Sequence, residues 1–268
     1  MNKHAIGIDI GGTTTKFGIV NAAGEILAQS RIPTNKHEKV EDFIDDLFAG
    51  LSTLIKQHGG FENFVGIGVG APNGNYYSGT IEYAPNLLWK GIIPIAQLIQ
   101  NKFNLSVKLT NDANAAAVGE MQYGCAKGIK HFITITLGTG VGSGIVIDGK
   151  IVVGHDGFAG ELGHTIVRKG GRFHKGTGSL GCLESYASAT GVRETAFEFL
   201  AADPTTPSLL RNYTTDELTS QVVYQCAIEN DEIAKKVFEF TGEILGEALA
   251  NAVMFSSPQM IVLFGGLT

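Results

Sequence analysis

The sequence predicts an α/β protein of two lobes, each built on the same β-meander. Three observations predict it. First, Ile8-Asp9-Ile10-Gly11-Gly12 with Gly18-Ile19-Val20 resembles Ile135-Thr136-Leu137-Gly138-Thr139-Gly140 with Gly144-Ile145-Val146. Each copy reads as an apolar strand, a Gly/Thr turn and an apolar return strand, then a glycine turn and a third short strand, which points to internal duplication. Ordinary glycine hairpins would look similar one at a time. Second, short β-like runs are interleaved with amphipathic helical stretches. Third, 268 residues is long for one simple domain and short for three.

The elements follow in order. Ala5 to Ile10 reads as a strand, Lys16 to Val20 as its return and Glu25 to Arg31 as a third strand. From Glu38 to His58 the apolar residues Val40, Phe43, Ile44, Leu47, Leu51, Leu54 and Ile55 recur every three or four positions, one helical stripe that Gly59-Gly60 ends. Phe64 to Val69 is a buried strand, followed by the loop Gly70-Ala71-Pro72-Asn73-Gly74. Pro94 opens a short helix running to about Lys102, Ser106 to Thr110 is a strand, and Ala113 to Tyr123 a helix. The second meander comprises His131 to Leu137, Ser143 to Asp148 and Ile151 to Val153. Residues 154–181 read as loop. Helices are expected at Leu183 to Ser188, Val192 to Ala201, Asp216 to Glu229 and Glu232 to Phe255, and a strand at Met260 to Phe264.

Composition narrows the function. With 44% apolar and 17% charged residues the chain is globular and rich in core. Its 36 glycines are nearly twice the usual share of ~7%, an excess that suits turns lying against a ligand. The net charge is −6 and no Lys/Arg block exceeds two neighbours, so no nucleic-acid footprint is present. No apolar run approaches the ~18 residues of a membrane span, and Asp9 interrupts the N-terminal apolar stretch, which rules against a signal peptide. Three scattered cysteines (Cys125, Cys182, Cys226) read as reduced thiols of a cytoplasmic protein.

The two glycine turns carry the first chemistry. Successive backbone N–H groups in a tight turn form a concave anion site, to which Thr13, Thr14 and Thr139 add hydroxyls and Lys16 a positive charge. Neither turn is a P-loop or a dinucleotide fingerprint: the third glycine position is Ser143, and a strand follows each turn rather than a helix. Asp9, at the end of its strand, would hold Mg²⁺ through water beside bound phosphates, or cap the turn. In Asn111-Asp112-Ala113-Asn114, Asp112 stands between a strand and a helix. It is either a helix cap or a general base for a hydroxyl attacking phosphorus. Glu161 and His164 would face the same way if locally helical, and with Glu184 they would suit the hydroxyls of a sugar. A solvated loop and a structural histidine are the alternatives.

Together these segments resemble the ROK family of bacterial sugar kinases, named for repressor, open reading frame and kinase. Asp9-Ile10-Gly11-Gly12-Thr13-Thr14-Thr15-Lys16 is similar to its first phosphate motif and Leu137-Gly138-Thr139-Gly140-Val141-Gly142-Ser143-Gly144 to its second. Asn111-Asp112-Ala113-Asn114 is similar to its catalytic motif. Gly160-Glu161-Leu162-Gly163-His164 and Gly178-Ser179-Leu180-Gly181-Cys182-Leu183-Glu184 are similar to its signature segment. The resemblance implies an actin-like ATPase (ribonuclease H-like) fold, with a cleft between an N-terminal lobe (1–117) and a C-terminal lobe (118–268). It implies ATP and Mg²⁺, Asp112 as base, and Asn86, Asn111, Glu161, His164 and Glu184 as sugar ligands. Gly11, Gly12, Thr13, Thr14, Lys16, Gly138, Thr139 and Gly140 would hold phosphates, and Gly265 and Gly266 would lie near the adenosine.

Three departures stand out. The family's Cys-x-Cys, which helps bind a structural zinc, is replaced by Lys175 and Thr177, leaving His164 and Cys182 with His174 nearby. Four N or S ligands are needed for such a site, so no structural zinc is expected. The usual Gly-x-Pro-Gly loop reads Gly70-Ala71-Pro72-Asn73-Gly74, a mild change because Asn tolerates left-handed backbone. The chain stops two residues after Gly265-Gly266 where relatives continue, so a chain cut short at its C-terminus is expected. The implied activity is ATP-dependent phosphorylation of a hexose 6-hydroxyl, glucose foremost, by a cytoplasmic homodimer or homotetramer without nucleic-acid or membrane partners. The alternatives are a sugar-sensing regulator of the same family, a kinase for N-acetylmannosamine, N-acetylglucosamine or fructose, and an ATPase without sugar.

Overall fold

The computed structural model describes residues 3–268 and divides into two compact units. One runs to Lys130 and includes Gly144–Gly160; the other is His131–Ser143 with Glu161–Thr268. The expected boundary at 117/118 lies inside a helix, Asp112–Gln122.

The first unit is ordered β1 (His4–Ile10), β2 (Thr14–Val20), β3 (Ile26–Pro33), α1 (Val40–Gln57), β4 (Phe64–Gly70), the short β5 (Ile81–Glu82) and β6 (Ile92–Ile93), α2 (Ile95–Phe103), β7 (Val107–Thr110) and α3 (Asp112–Gln122). Its main sheet has the order β3-β2-β1-β4-β7. In β1 the residues Ile6, Ile8 and Ile10 are buried, and Asp9 between them is exposed, the period-two signature of a strand with one face in the core. The strands β1, β4 and β7 are parallel, which requires crossovers, and α1 and α2 supply them. On α1, Phe43, Ile44, Leu47, Leu51 and Ile55 form the buried stripe and pack in one core with β1, β4 and α2.

The remaining elements are β8 (Phe132–Leu137), β9 (Val141–Ile147), β10 (Lys150–Ile151), a 3-10 turn at Leu162–His164, β11 (Phe173–His174), β12 (Ser179–Leu180), α4 (Glu184–Ala187), α5 (Ala189–Ala202), α6 (Ser220–Ile228), α7 (Glu232–Ser256) and β13 (Met260–Phe264). Strand β9 begins in the second unit and ends in the first. The second sheet is ordered β10-β9-β8-β13, with β13 parallel to β8. That repeats β3-β2-β1-β4, where β4 is parallel to β1. The duplicated meander expected from the sequence is therefore present.

Differences from expectation are local. Helix α6 starts at Ser220 rather than Asp216, because the Thr219 side chain accepts from Val222 N–H and caps it. Thr214 and Glu217 close their own turn just before, with Thr214 N–H donating to Glu217 Oε2 at 2.9 Å. The stretch read as loop holds the 3-10 turn and the β11–β12 hairpin, pieces too short to show a period. Asn73 takes a left-handed backbone (φ 50°), as its place in the 70–74 loop suggested. Among the described residues no helix is long and apolar enough to cross a membrane.

Leu47 is fully buried in the stripe that holds α1 to the sheet. Leu47→Ala is expected to cost about 2–5 kcal/mol, read as a lowered midpoint in urea unfolding.

Candidate functional site

In the first unit, register sets the geometry. Lys16 pairs with Asp9, Asp9 with Gly70, and Gly70 with Thr110, one level row across β2, β1, β4 and β7. The carboxyl ends of the three parallel strands therefore finish together, the usual place for a site in an open α/β sheet. At strand spacing the Asp9 and Thr110 backbones lie about 10 Å apart. Solvent still reaches Asp9, yet neighbouring protein displaces enough water to raise its carboxyl above the ordinary value, an effect Lys16 partly offsets.

Asp112 follows the row as the first residue of α3 and is exposed. The cap of that helix is Asn111, whose Oδ1 accepts from Asn114 N–H at 2.7 Å. This settles one alternative: capping does not require Asp112, whose Oδ1 accepts from the adjacent Ala113 N–H at 2.8 Å. A side chain at position 70 would put its Cβ 3.2 Å from the Ala115 methyl, so Gly70 lets the first turn of α3 settle on the end of β4. The Asn86 loop reaches the first glycine turn as well, since a Cβ on Gly12 would stand 2.7 Å from the Asn86 carbonyl. Gly11 N–H is spent on the Thr14 carbonyl (3.1 Å), so among the donors the sequence offered an anion at this turn, that amide is already engaged.

The second unit gathers the remaining candidates. The turn Gly138–Gly140 follows β8, and Gly265 follows β13 with φ 129°, backbone that favours glycine. A side chain on Gly265 would collide with the Leu137 carbonyl, and Leu267 N–H donates to that same carbonyl at 3.3 Å. The two turns thus meet. Gly138, Thr139 and Gly266 line a cavity of about 810 Å³ with Gln221 and Tyr224 of α6 and Phe238 of α7. The first amide of α5, Ala189 N–H, donates to Gly138 O at 2.8 Å. A helix N-terminus therefore abuts this turn, where its partial positive charge favours an anion. That helix comes from a distant segment and was invisible in the local pattern, which showed only a strand after the turn.

Glu161, His164 and Glu184 come together. The 3-10 turn brings His164 Nδ1 within 3.2 Å of Glu161 Oε2, the local helicity their spacing required. Glu184 Oε2 accepts from Val141 N–H at 2.7 Å, directly after the glycine turn. Glu184 Oε1 lies 2.7 Å from His174 Nε2, and the His174 ring is 5.4 Å from the His164 ring. The bond to Glu161 raises the His164 pKa above its usual 6.5, against the opposing effect of burial.

The donor set does not fit a structural zinc. Ligand atoms of His164, His174 and Glu184 lie within 4.8 Å of one another. However, Lys175 and Thr177 replace the cysteines, and Cys182 Sγ is 3.8 Å from the Thr177 hydroxyl. His174 and Glu184 are already bonded to each other. Sequence reasoning missed Gln221, Tyr224 and Phe238 as cavity walls and gave His174 no role. A half-exposed tyrosine on α6 was the faint signal for the cavity.

The model of the ROK family matches residues 5–268. The chain belongs to the ROK family. It is 36% identical over its whole length to a glucokinase of Halalkalibacterium halodurans, covering 81% of that protein. It is 31% identical to the xylose repressor of Caldicellulosiruptor bescii, with 96% of this chain and 64% of that one aligned. A ROK glucokinase from Streptomyces griseus, solved with glucose and AMPPNP, superposes with a TM-score of 0.81 at 31% identity, over 98% of this chain and 83% of that one. The fold is that of the ROK sugar kinases, the actin-like ATPase fold.

Because the folded pKa of His164 is raised, its pairing with Glu161 adds stability below the unfolded pKa and loses it as pH rises through the folded value. Glu161→Gln is expected to lower Tm more at pH 6 than at pH 8.5. In an NMR titration it should bring the His164 pKa down.

Proposed function

We propose that this chain is an ATP-dependent hexokinase that phosphorylates the 6-hydroxyl of glucose. The observation that carries the reading is Glu184. Its carboxylate is bonded to Val141 beside the Gly138–Gly140 turn and stands with Glu161 and His164, so groups suited to hydroxyls share a scaffold with groups suited to phosphates. An ATPase indifferent to sugar has no use for that arrangement. Similarity to glucokinases over the whole chain supports it.

In this reading Asp112 takes the proton from the 6-hydroxyl as its oxygen attacks the γ-phosphorus. Asn86, Asn111, Glu161, His164 and Glu184 hold the remaining hydroxyls. Asn111 spends its Oδ1 on the helix cap, so it offers the sugar its amide N–H groups. Gly11, Gly12, Thr13, Thr14 and Lys16, with Gly138, Thr139 and Gly140, take the phosphates, and the adenosine occupies the cavity beside Gly265 and Gly266. Asp9 fits a water-mediated contact to Mg²⁺: its carboxylate is partly desolvated and feels the charge of Lys16. That ion supplies charge neutralisation on the transferring phosphoryl group. The net charge of −6 and the lack of any Lys/Arg run longer than two support a reading without a nucleic-acid partner, and the family resemblance implies a cytoplasmic homodimer or homotetramer. A second reading, a sugar-binding regulator, is favoured by the likeness to xylose repressors.

An ADP-release assay across glucose, mannose, fructose, N-acetylglucosamine and N-acetylmannosamine separates these readings. Glucose-dependent turnover supports the kinase, ADP release without sugar supports an ATPase, and sugar binding without turnover supports the regulator. Asp112→Asn should fold and bind glucose but lose roughly 10²–10⁴ in kcat; turnover near that of the parent chain would remove Asp112 as the base. Asp9→Asn has a different signature. An ionised Asp9 costs stability at neutral pH, so the amide should leave Tm unchanged or raise it while weakening Mg²⁺-dependent ATP binding.

A further inference from the structure

His174 belongs to none of the roles above, yet its side chain is bonded on both sides of the ring. It lies in the β11–β12 hairpin, where Phe173 pairs with Leu180 and His174 with Ser179. Its side chain is only 13% exposed, and both ring nitrogens are engaged. Thr177 N–H points at Nδ1 from 3.3 Å, and the Thr177 hydroxyl lies 2.8 Å from the same atom. An amide can only donate, so Nδ1 is the acceptor and the ring proton sits on Nε2. Nε2–H therefore donates to Glu184 Oε1 at 2.7 Å. Thr177 Oγ1 in turn accepts from Ser179 N–H at 3.3 Å, and since Nδ1 is an acceptor the bond at 2.8 Å is one the hydroxyl donates. The other Glu184 oxygen accepts from Val141 N–H at 2.7 Å.

One continuous line of hydrogen bonds results: Ser179 N–H, Thr177 hydroxyl, His174, Glu184, Val141 N–H. It runs from the hairpin to the second glycine turn, and each donor meets an acceptor. Two bonds fix the Glu184 carboxylate and leave lone pairs for a further donor. A carboxylate already held in one rotamer loses less entropy when it receives a hydroxyl.

We propose that His174 is a positioning residue: braced by Thr177, its imidazole fixes the Glu184 carboxylate for the sugar, ordering this segment with hydrogen bonds where the family pattern uses a metal. A cation recruited to His164, His174 and Glu184 would have to displace the Nε2 proton and break the bond to Glu184. Lys175, which lines a cavity of about 480 Å³ together with His174 and Glu184, adds a positive charge that opposes it. The effect on sugar rests on the hexokinase reading, whereas the tautomer and the indifference to metal do not.

Two measurements on the full chain test this. Long-range ¹H–¹⁵N spectra at pH 7.5 should show His174 as the neutral Nε2–H tautomer, and one equivalent of Zn²⁺ should leave the His174 and His164 signals in place. Stoichiometric zinc uptake that moves both signals, or an Nδ1–H tautomer, overturns the proposal. In kinetics, His174→Leu should raise the glucose KM about tenfold, the scale of a lost bond to a charged group, with a much smaller change in kcat. His174→Gln, which keeps an N–H where Nε2 stood, should restore KM to within about threefold. Equal losses in both variants, or a fall in kcat alone, overturn it. If His174→Leu does not fold, the spectra and His174→Gln still decide. A chain that phosphorylates no sugar but keeps the Nε2–H tautomer and ignores zinc removes the hexokinase reading and leaves the positioning of Glu184 supported.

Discussion

One row of backbone pairing decides where the first unit's charges stand. Lys16, Asp9, Gly70 and Thr110 are level across four strands, and burial holds them there. Ile6, Ile8 and Ile10 alternate into the core, so Asp9 must face away from it. A slip of one residue would drive the carboxylate into the core and three isoleucines out, a change no hydrogen bond could offset. The same register brings the ends of β1, β4 and β7 to one level, and α3 starts just beyond them. Position of the acid, the cation and the candidate base is thus a consequence of hydrophobic alternation, with polar contacts adding only local aim.

The second sheet repeats the strand order, but the second unit solves a different problem. Its glycines need close backbone approach, as Gly265 does against the Leu137 carbonyl and Gly181 against the Arg168 carbonyl. Its polar groups come from a turn and a hairpin too irregular to hold themselves by packing. Hydrogen bonds take over: Glu161 to His164, His174 to Glu184, Glu184 to Val141. One half of the chemistry is therefore placed by sheet register and the other by a polar chain, which makes the second half more sensitive to single substitutions.

This division explains what could be read from the sequence. The α1 stripe, the meander strands and both glycine turns carry strong periodic or turn signals, and their structures match. Asn111 and Asp112 could be placed at a strand–helix junction, but which of them caps the helix depended on a 2.7 Å bond that no spacing reveals. The Glu161–His164 pairing was conditional on a helical turn three residues long. His174 bonds to Thr177 and Glu184 within ten residues, but in an irregular hairpin with no period to betray it, whereas the cavity walls Gln221, Tyr224 and Phe238 meet Gly138 and Gly266 only through packing of distant segments. Family resemblance supplied a zinc pattern, and Lys175 and Thr177 at two of its positions are what made a structural zinc unexpected.

A hydrogen-bonded clamp and a metal knot hold a segment in physically different ways. Zinc binding contributes folding free energy in one step and depends on metal supply. A Thr–His–Glu chain contributes less, but it directs its last bond at a specific oxygen of Glu184. The cost is that its strength depends on the neutral tautomer of one imidazole and on exclusion of water from a ring that is 13% exposed. Replacing cysteines by Lys175 and Thr177 therefore does more than delete ligands. In the proposed arrangement Thr177 supplies the brace that sets the tautomer and Lys175 disfavours a competing cation, so the segment is organised by its own side chains.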